Sequence, residues 1–291
     1  MATLRDIKRR IVGVKNTQQI TKAMKMVAAA KLRRAQNNVI NARPYSDEIA
    51  TLLSRLATGE DIPSNPFFEQ REIRNVALVV ITSDRGLCGA FNHNIIKEAD
   101  RYIEEELKAE DIFYQVYCVG KKASDYFGTR DYPVFKSDVG LFTGLNYSSA
   151  LEISNSVIPK FLDGTFDKVQ FIYNSFVSII QQKITLKQLL PIPFEKTDEE
   201  ANDSNYIFEP DQKYIFEYLV PKHLKAQVWR ALLESNAAEL SARMTAMDNA
   251  TTNAEELIKS LKLTYNKERQ AAITKEILEI VSGANALKTS T

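Results

Sequence analysis

The chain has 291 residues, of which 44% are hydrophobic and 26% are charged, and its mean hydropathy is −0.26. No run of about 18 apolar residues occurs, and no apolar segment follows the N-terminus, so we expect neither a membrane-spanning helix nor a secretory signal. Two cysteines and two histidines exclude a disulfide framework and a cysteine-based zinc finger.

The formal net charge of +1 is an average over three very different segments. Residues 1–43 hold eleven Lys or Arg and one acid, a charge of +10. Residues 44–209 hold 16 basic and 26 acidic residues, a charge of −10. Residues 210–291 hold 11 basic and 10 acidic residues, a charge of +1. The segregation predicts a basic arm, an acidic body and a nearly neutral second arm.

Proline and aromatic residues follow the same division. All nine prolines lie between Pro44 and Pro221, and 26 of the 27 aromatic residues lie between positions 44 and 229. Proline is excluded from helix interiors, and aromatic side chains supply much of the buried area of a globular core. Both ends are therefore predicted to be long helices, and the middle is predicted to be a compact domain.

The first predicted segment, 1–58, has apolar residues three and four positions apart, which is typical of an amphipathic helix. Gly13 is its weak point, and Pro44 is predicted to begin a second helix that runs to Thr58. The predicted apolar stripe contains Leu4, Ile7, Ile11, Val14, Ile20, Met24, Val27 and Leu32.

The last predicted segment, 210–287, keeps a helical rhythm from about Asp211 to about Ser282, with Gly283 as the expected cap. Its stretch 235–255 is unusually rich in small and polar residues. A helix of about 70 residues is roughly 105 Å long, whereas the middle domain has an expected radius of gyration near 15 Å. We therefore expect the N-terminal helix to be its partner, in a long antiparallel coiled coil.

The middle segment, 70–205, alternates predicted strands and helices. This alternation predicts a Rossmann-like α/β domain with a mostly parallel sheet, in which the last two strands form a hairpin-like pair. The polar segment 195–205 is predicted to be an exposed loop. The predicted strands are 76–82, 114–119, 133–136, 169–175 and 183–190, and the predicted helices are 91–108, 121–127 and 145–162.

A glycine-containing loop at 83–92 directly follows the first predicted strand. Such a loop can cradle a phosphate, but it matches neither common nucleotide-binding motif, so a tight turn between a strand and a helix is favoured. Cys88 is a candidate nucleophile with Asp84 and His93 near it in sequence, and a structural thiol is the favoured alternative.

Basic residues cluster in the first arm without interleaved aromatic residues. They could neutralise nucleic-acid phosphates, face solvent, or meet an acidic protein partner. The cluster contains Lys22, Lys25, Lys31, Arg33 and Arg34.

Four separated segments closely resemble the γ subunit of F-type ATP synthases, and they occur in the order expected for that family. They are ITKAMKMVAAAKLRRAQ at 20–36, SDRGLCGAFN at 83–92, ESNAAELSARMTAMDNAT at 234–251 and LIKSLKLTYNKERQAAITKEILEIVSGANAL at 257–287.

The resemblance implies a central rotor shaft that couples ion flow through a membrane ring to conformational cycling of catalytic β subunits, and that is itself non-catalytic. Its implied partners are three α and three β subunits, the ε subunit and the ring of c subunits, with no nucleic acid and no cofactor. It also implies a peripheral position on the cytoplasmic side of a bacterial plasma membrane.

The resemblance further implies residues that contact the β subunits, whereas Leu87 and Cys88 match a glycine turn with a structural role. The implied contact residues are Met24, Lys25, Arg243, Arg269, Gln270, Thr274 and Glu276.

Two other classes of function remain as alternatives. An enzyme with a nucleotide-binding α/β domain and helical dimerisation arms would bind a nucleotide or turn over a substrate by itself. A coiled-coil adaptor would bind nucleic acid through its basic arm, with a steep dependence on salt.

Overall fold

The computed structural model describes residues 3–56, 65–179, 181–193, 209 and 211–289. Two long helices flank five strands and three shorter helices, in the strand–helix alternation that the sequence predicts. The elements are α1 (Leu4–Leu56), β1 (Asn75–Ile81), α2 (Phe91–Tyr102), β2 (Phe113–Val119), α3 (Lys121–Phe127), β3 (Val134–Asp138), α4 (Tyr147–Leu162), β4 (Lys168–Phe176), β5 (Gln182–Leu190) and α5 (Gln212–Thr289).

The five strands form one sheet in the order β3-β2-β1-β4-β5. β1 pairs in parallel with both β2 and β4, and β2 pairs in parallel with β3. β5 is antiparallel to β4 and forms the expected hairpin-like pair with it. The predicted mixed α/β fold with a mostly parallel sheet is therefore confirmed.

The central strand β1 is buried on both faces, which is why it reads as a continuous apolar run. Val79 and Ile81 pack into one apolar layer together with α4. Leu78 and Val80 point to the other face and pack into a second layer together with α2 and α3. Helices on opposite faces of a parallel sheet are the arrangement of a doubly wound domain.

The helix α5 contributes to both apolar layers of this domain. Leu224, Val228 and Leu232 belong to the layer that contains α4. Roughly one and a half turns further along, Ala238 belongs to the layer that contains α2 and α3. Between Leu232 and Ala238 the helix therefore passes from one side of the sheet to the other.

Contacts divide the chain into two compact units. One contains the residues up to Val27 together with those from Met244 onward, and the other runs from Ala28 to Arg243. Each unit therefore contains part of α1 and part of α5.

In the unit formed by the chain ends, α1 and α5 run antiparallel. The hydroxyls of Thr21 and Thr251 lie 2.8 Å apart, and Lys25 Nζ lies 2.6 Å from a carboxylate oxygen of Asp248. As the numbering rises along α1 it falls along α5, which confirms the predicted direction of the pair. By this register Leu4 lies opposite a residue near 268.

Two details of the helices differ from the sequence-based expectation. Pro44 lies inside α1, so it does not begin a second helix. Its side chain faces solvent, where its missing N–H and its ring are tolerated more easily than in a packed face. The α5 helix continues past Gly283 to Thr289, so Gly283 is not its cap. Thr58 and the predicted loop 195–205 lie outside the described residues.

The predicted apolar stripe of α1 is wrong at two positions. Ile20 and Val27 are 60% and 56% exposed, whereas their neighbours Thr21 and Ala28 are buried. The buried and partly buried positions together recur alternately four and three residues apart, which is the spacing of a coiled-coil seam. The seam therefore follows that period rather than the largest apolar side chains.

Candidate functional site

The loop between β1 and α2 is held by its own polar side chains. Asn92 accepts from the backbone N–H of Ser83 at 2.9 Å, and the Ser83 hydroxyl donates to the carbonyl of Arg85 at 2.6 Å. Leu87 has a positive φ of 65°, which marks a tight turn. The turn with a close strand–helix approach, favoured from the sequence, is the arrangement observed.

Asp84 connects this loop to two distant parts of the chain. One of its carboxylate oxygens accepts from the backbone N–H of Lys121 at 3.1 Å and of Gly140 at 2.8 Å. The other oxygen accepts from the N–H of Phe142 at 3.2 Å. The carboxylate thus holds together the segments that follow β1, β2 and β3, and it makes no hydrogen bond to the Cys88 thiol among those described.

Cys88 has the surroundings of a structural thiol. It is 1% exposed, and its sulfur accepts from the Asn92 amide at 3.1 Å. Burial raises the pKa of this thiol, which disfavours the reactive thiolate. His93 is exposed on α2. The arrangement does not support Cys88 as a nucleophile.

A polar cavity of about 540 Å³ lies beside the carboxyl end of β3. Asp138 and Glu152 both line it. Two carboxylates that line a cavity repel a phosphate group, so the cavity does not favour the nucleotide-binding enzyme.

Arg243, one of the implied β-subunit contacts, makes its described hydrogen bonds within the chain. Its NH1 group donates to the carbonyl of Gly86 at 2.7 Å, and its Nε donates to Glu239 at 2.8 Å. Both side chains are largely buried, with 15% and 13% exposed. Burial raises the pKa of Glu239, and the neighbouring guanidinium opposes that rise. The spacing of four residues between the two could have indicated this pair.

The other implied contacts lie in the unit formed by the chain ends. Met24 is partly buried, and Lys25 makes its ion pair with Asp248 with 40% of its side chain exposed. The remaining four are exposed on α5, beyond or close to the point opposite the start of α1. They are Arg269, Gln270, Thr274 and Glu276.

Beyond the position that lies opposite the start of α1, α5 presents apolar side chains to solvent. By the observed register, residue 273 and those after it lie past the first residue of α1. The exposed apolar side chains of this region are Ile273, Ile277, Leu278, Ile280 and Val281.

An extended polar network, which the sequence did not predict, joins α1 to α5 in the other unit. Arg43 donates to the carbonyl of Phe176 at 3.1 Å and lies 3.4 Å from Glu234. Arg230 bridges Glu234 at 3.1 Å and Asp47 at 2.6 Å. The network shows that α1 and α5 also run antiparallel here.

None of the described helices is long and apolar enough to cross a membrane. Among the same residues there is no group of three or more His, Cys, Asp or Glu side chains that could hold a metal ion.

Comparison with known proteins gives matches along almost the whole chain. The sequence model of the ATP synthase family matches residues 3–287. The ATP synthase gamma chain of Chlorobaculum parvum is 52% identical over 291 residues, covering 99% of this chain and all of the relative. That of Geobacter metallireducens is 49% identical over 288 residues, with 99% and 100% covered.

Solved structures agree with this result. A chain of the central stalk and c-ring of the Tetrahymena thermophila mitochondrial ATP synthase is 28% identical, with a TM-score of 0.62, covering 79% of this chain and 99% of that chain. A chain of the Euglena gracilis mitochondrial ATP synthase, at 22% identity, a TM-score of 0.67 and coverage of 98% and 94%, shares the fold. The chain belongs to the ATP synthase gamma chain family.

Proposed function

We propose that the chain is the central rotor shaft of an F-type ATP synthase and is itself non-catalytic. The observation that carries this proposal is the match over residues 3–287, together with about half-identical gamma chains aligned from end to end. The antiparallel α1–α5 pair is consistent with this role, because two intertwined helices resist unwinding under torque better than one.

The non-catalytic role is supported by the loop at 83–92. Its carboxylate, Asp84, is engaged by three backbone N–H groups, and its thiol, Cys88, is buried with a raised pKa. Neither group is free to act as a base or a nucleophile. In this proposal, ATP is made by the complex at sites on other subunits.

The proposed partners are three α and three β subunits around the helix pair, with the ε subunit and the c ring at the α/β domain. In this proposal residues 1–58 and 210–287 form the shaft. Residues 70–205, the α/β domain, form the foot. We place the complex at the cytoplasmic face of a bacterial plasma membrane, where ion flow through the c ring turns the foot.

The proposed β-subunit contacts lie on both shaft helices. Lys25 remains available to a partner subunit, because its half-exposed ion pair with Asp248 contributes only about 0.2–1 kcal/mol. Arg243 has its donors engaged within the chain, so a β subunit would meet only its exposed edge. The proposed set is Met24, Lys25, Arg243, Arg269, Gln270, Thr274 and Glu276.

Affinity purification of the tagged chain from its own cells, followed by native mass spectrometry, tests the proposal. We expect one copy of the chain with three α and three β subunits, and no ATP turnover by the isolated chain. Recovery of a free homodimer that hydrolyses ATP would contradict the rotor function and favour the enzyme.

A further inference from the structure

The carboxyl edge of the sheet has a topological switch point, which is the position where many other α/β proteins bind ligands. The strand order reverses at β1, because β2 and β3 are added on one side of it and β4 and β5 on the other. In open parallel sheets, ligands bind outside the carboxyl ends of the strands at such a reversal. Here that switch point lies between β1 and β4, and it is called the ligand crevice below.

The helix α5 crosses the sheet at this crevice. Its residues up to Leu232 pack with the α4 layer, and Ala238 packs with the α2 and α3 layer. The side chains just beyond the crossing contact the two loops that border the crevice. The Ser241 hydroxyl donates to the carbonyl of Ile179, in the segment that follows β4. Arg243 donates to the carbonyl of Gly86, in the loop that follows β1.

Small side chains allow the helix to approach the sheet closely at the crossing. Four small residues of α5 lie in this part of the helix, and each is at most 1% exposed. Ala238 belongs to the apolar layer that contains α2 and α3, so a larger side chain at that position would collide with the sheet. The four residues are Ser235, Ala237, Ala238 and Ser241.

We propose that α5, over residues 235–243, permanently occupies this ligand crevice. In this proposal Arg243 is a positioning residue, which holds the 83–90 loop against the helix. Glu239 holds the guanidinium toward the loop, because it accepts from Nε while NH1 reaches Gly86. The inference concerns contacts within the chain and does not rest on the rotor function.

The thiol of Cys88 reports whether this loop opens, because it lies in the loop that Arg243 holds and is 1% exposed. Cys118, in the middle of the sheet and 0% exposed, is an internal standard for global unfolding. The full chain is treated with a maleimide, and the labelling rate of each cysteine is measured by mass spectrometry under native conditions.

In the Arg243→Gln variant we expect Cys88 to be labelled about ten to one hundred times faster, because a hydrogen bond from a charged donor is lost. The rate at Cys118 is expected to stay unchanged. The double variant Glu239→Gln, Arg243→Gln removes the carboxylate that would otherwise be buried without its partner, and it should still label faster at Cys88 than the parent chain.

Arg101→Gln is the matched control, since Arg101 also pairs with glutamates three and four residues away but lies on α2 away from the crevice. It should label like the parent chain. The proposal is overturned if Cys88 labelling is unchanged in both Arg243 variants, if Cys88 and Cys118 rise together, or if the Arg101 variant gives the same rise.

Hydrogen exchange provides a second measurement, in the segment that follows β4. Hydrogen exchange at the amide of Ser178, which bonds to Gln181 at 2.9 Å, should accelerate in Ser241→Ala. Unchanged exchange there would contradict the part of the proposal that concerns Ser241.

Discussion

Gly120 illustrates how single residues position the loops at the carboxyl edge. It lies between β2 and α3 with a φ of 96°, and a Cβ atom there would be 2.2 Å from the carbonyl oxygen of Thr82. Thr82 in turn accepts from the N–H of Ala123 at 2.8 Å, at the start of α3. The close approach of two backbones therefore requires a residue without a side chain.

The variant Gly120→Ala should lose about 3 kcal/mol or more of unfolding free energy, since it adds a collision to an unfavourable φ. Gly140→Ala is the control, because its φ is 84° but the space around it is open. It should lose about 1–2 kcal/mol. Urea denaturation compares the two, and equal losses would show that the collision with Thr82 has no effect.

His223 should make stability depend on pH. Burial is the first cause that lowers its pKa from 6.5 to about 4, and the charge of Lys187 adds to it. The unfolded state binds the proton more tightly, so stability is complete above about pH 6.5 and falls as the pH drops toward 4, by up to about 3 kcal/mol.

Urea denaturation of the parent chain and of His223→Gln, at pH 7 and at pH 5, checks this expectation. The parent should lose more stability than the variant over that interval. The buried Glu239, whose pKa is raised, has the opposite effect, but it is present in both proteins and cancels in the comparison. Equal losses would contradict the role given to His223.

The sequence predicted some residue roles and could not predict others. A structural thiol was the favoured alternative for Cys88, and its burial agrees with that prediction. The role of Asp84 could not be predicted, because its partners are the backbone N–H groups of Lys121 and Gly140, which only the completed sheet brings near. The same holds for Arg243, whose partner Gly86 is 157 residues away.

Among the elements, the strands were the easiest to predict and the seam of α1 the hardest. A strand buried on both faces is a continuous apolar run, as β1 is. The seam of α1 buries Thr21, Ala28 and Leu32, but leaves Ile20 exposed. Apolarity alone favoured Ile20, whereas the position on the helix decides which side chains the seam buries, because the seam recurs every third or fourth residue.

Gly13 offers a test at the level of the helix. It lies in α1, and a Cβ atom there would meet nothing within 4 Å. Gly13→Ala should therefore raise the unfolding free energy by about 0.5–1 kcal/mol through helix propensity alone. The reverse change Ala23→Gly, at another exposed position of α1, should lower it by a similar amount. Thermal denaturation followed by circular dichroism measures both, and a loss of stability in Gly13→Ala would contradict the expectation.

For the whole molecule, the distribution of charge is more informative than its sum. The first 43 residues carry +10, while the part of the chain that contains the sheet carries −10. Lys22, Arg33 and Arg34 are exposed on α1. They are therefore available to acidic loops of the proposed catalytic ring, where long side chains give attraction without a fixed apolar contact.

Neutralising these three residues together, in Lys22→Gln, Arg33→Gln, Arg34→Gln, should lower ATP-driven ion pumping per ATP hydrolysed by about five- to tenfold. Three exposed charge contacts of about 0.3–0.5 kcal/mol each are then lost. Pumping and hydrolysis are measured in the same membrane vesicles. An unchanged ratio in the α1 variant would argue against this role of the basic arm.

The crossing of α5 also bears on how the protein is synthesised. The last strand of the sheet ends at Leu190, yet Leu232 and Ala238 belong to its two apolar layers. The ribosome must therefore add about 50 more residues before the domain can bury its interior, and domains usually fold as units while they emerge. Until then, apolar surface on both sides of a nearly complete sheet stays open to water, which makes the nascent chain a natural client for chaperones.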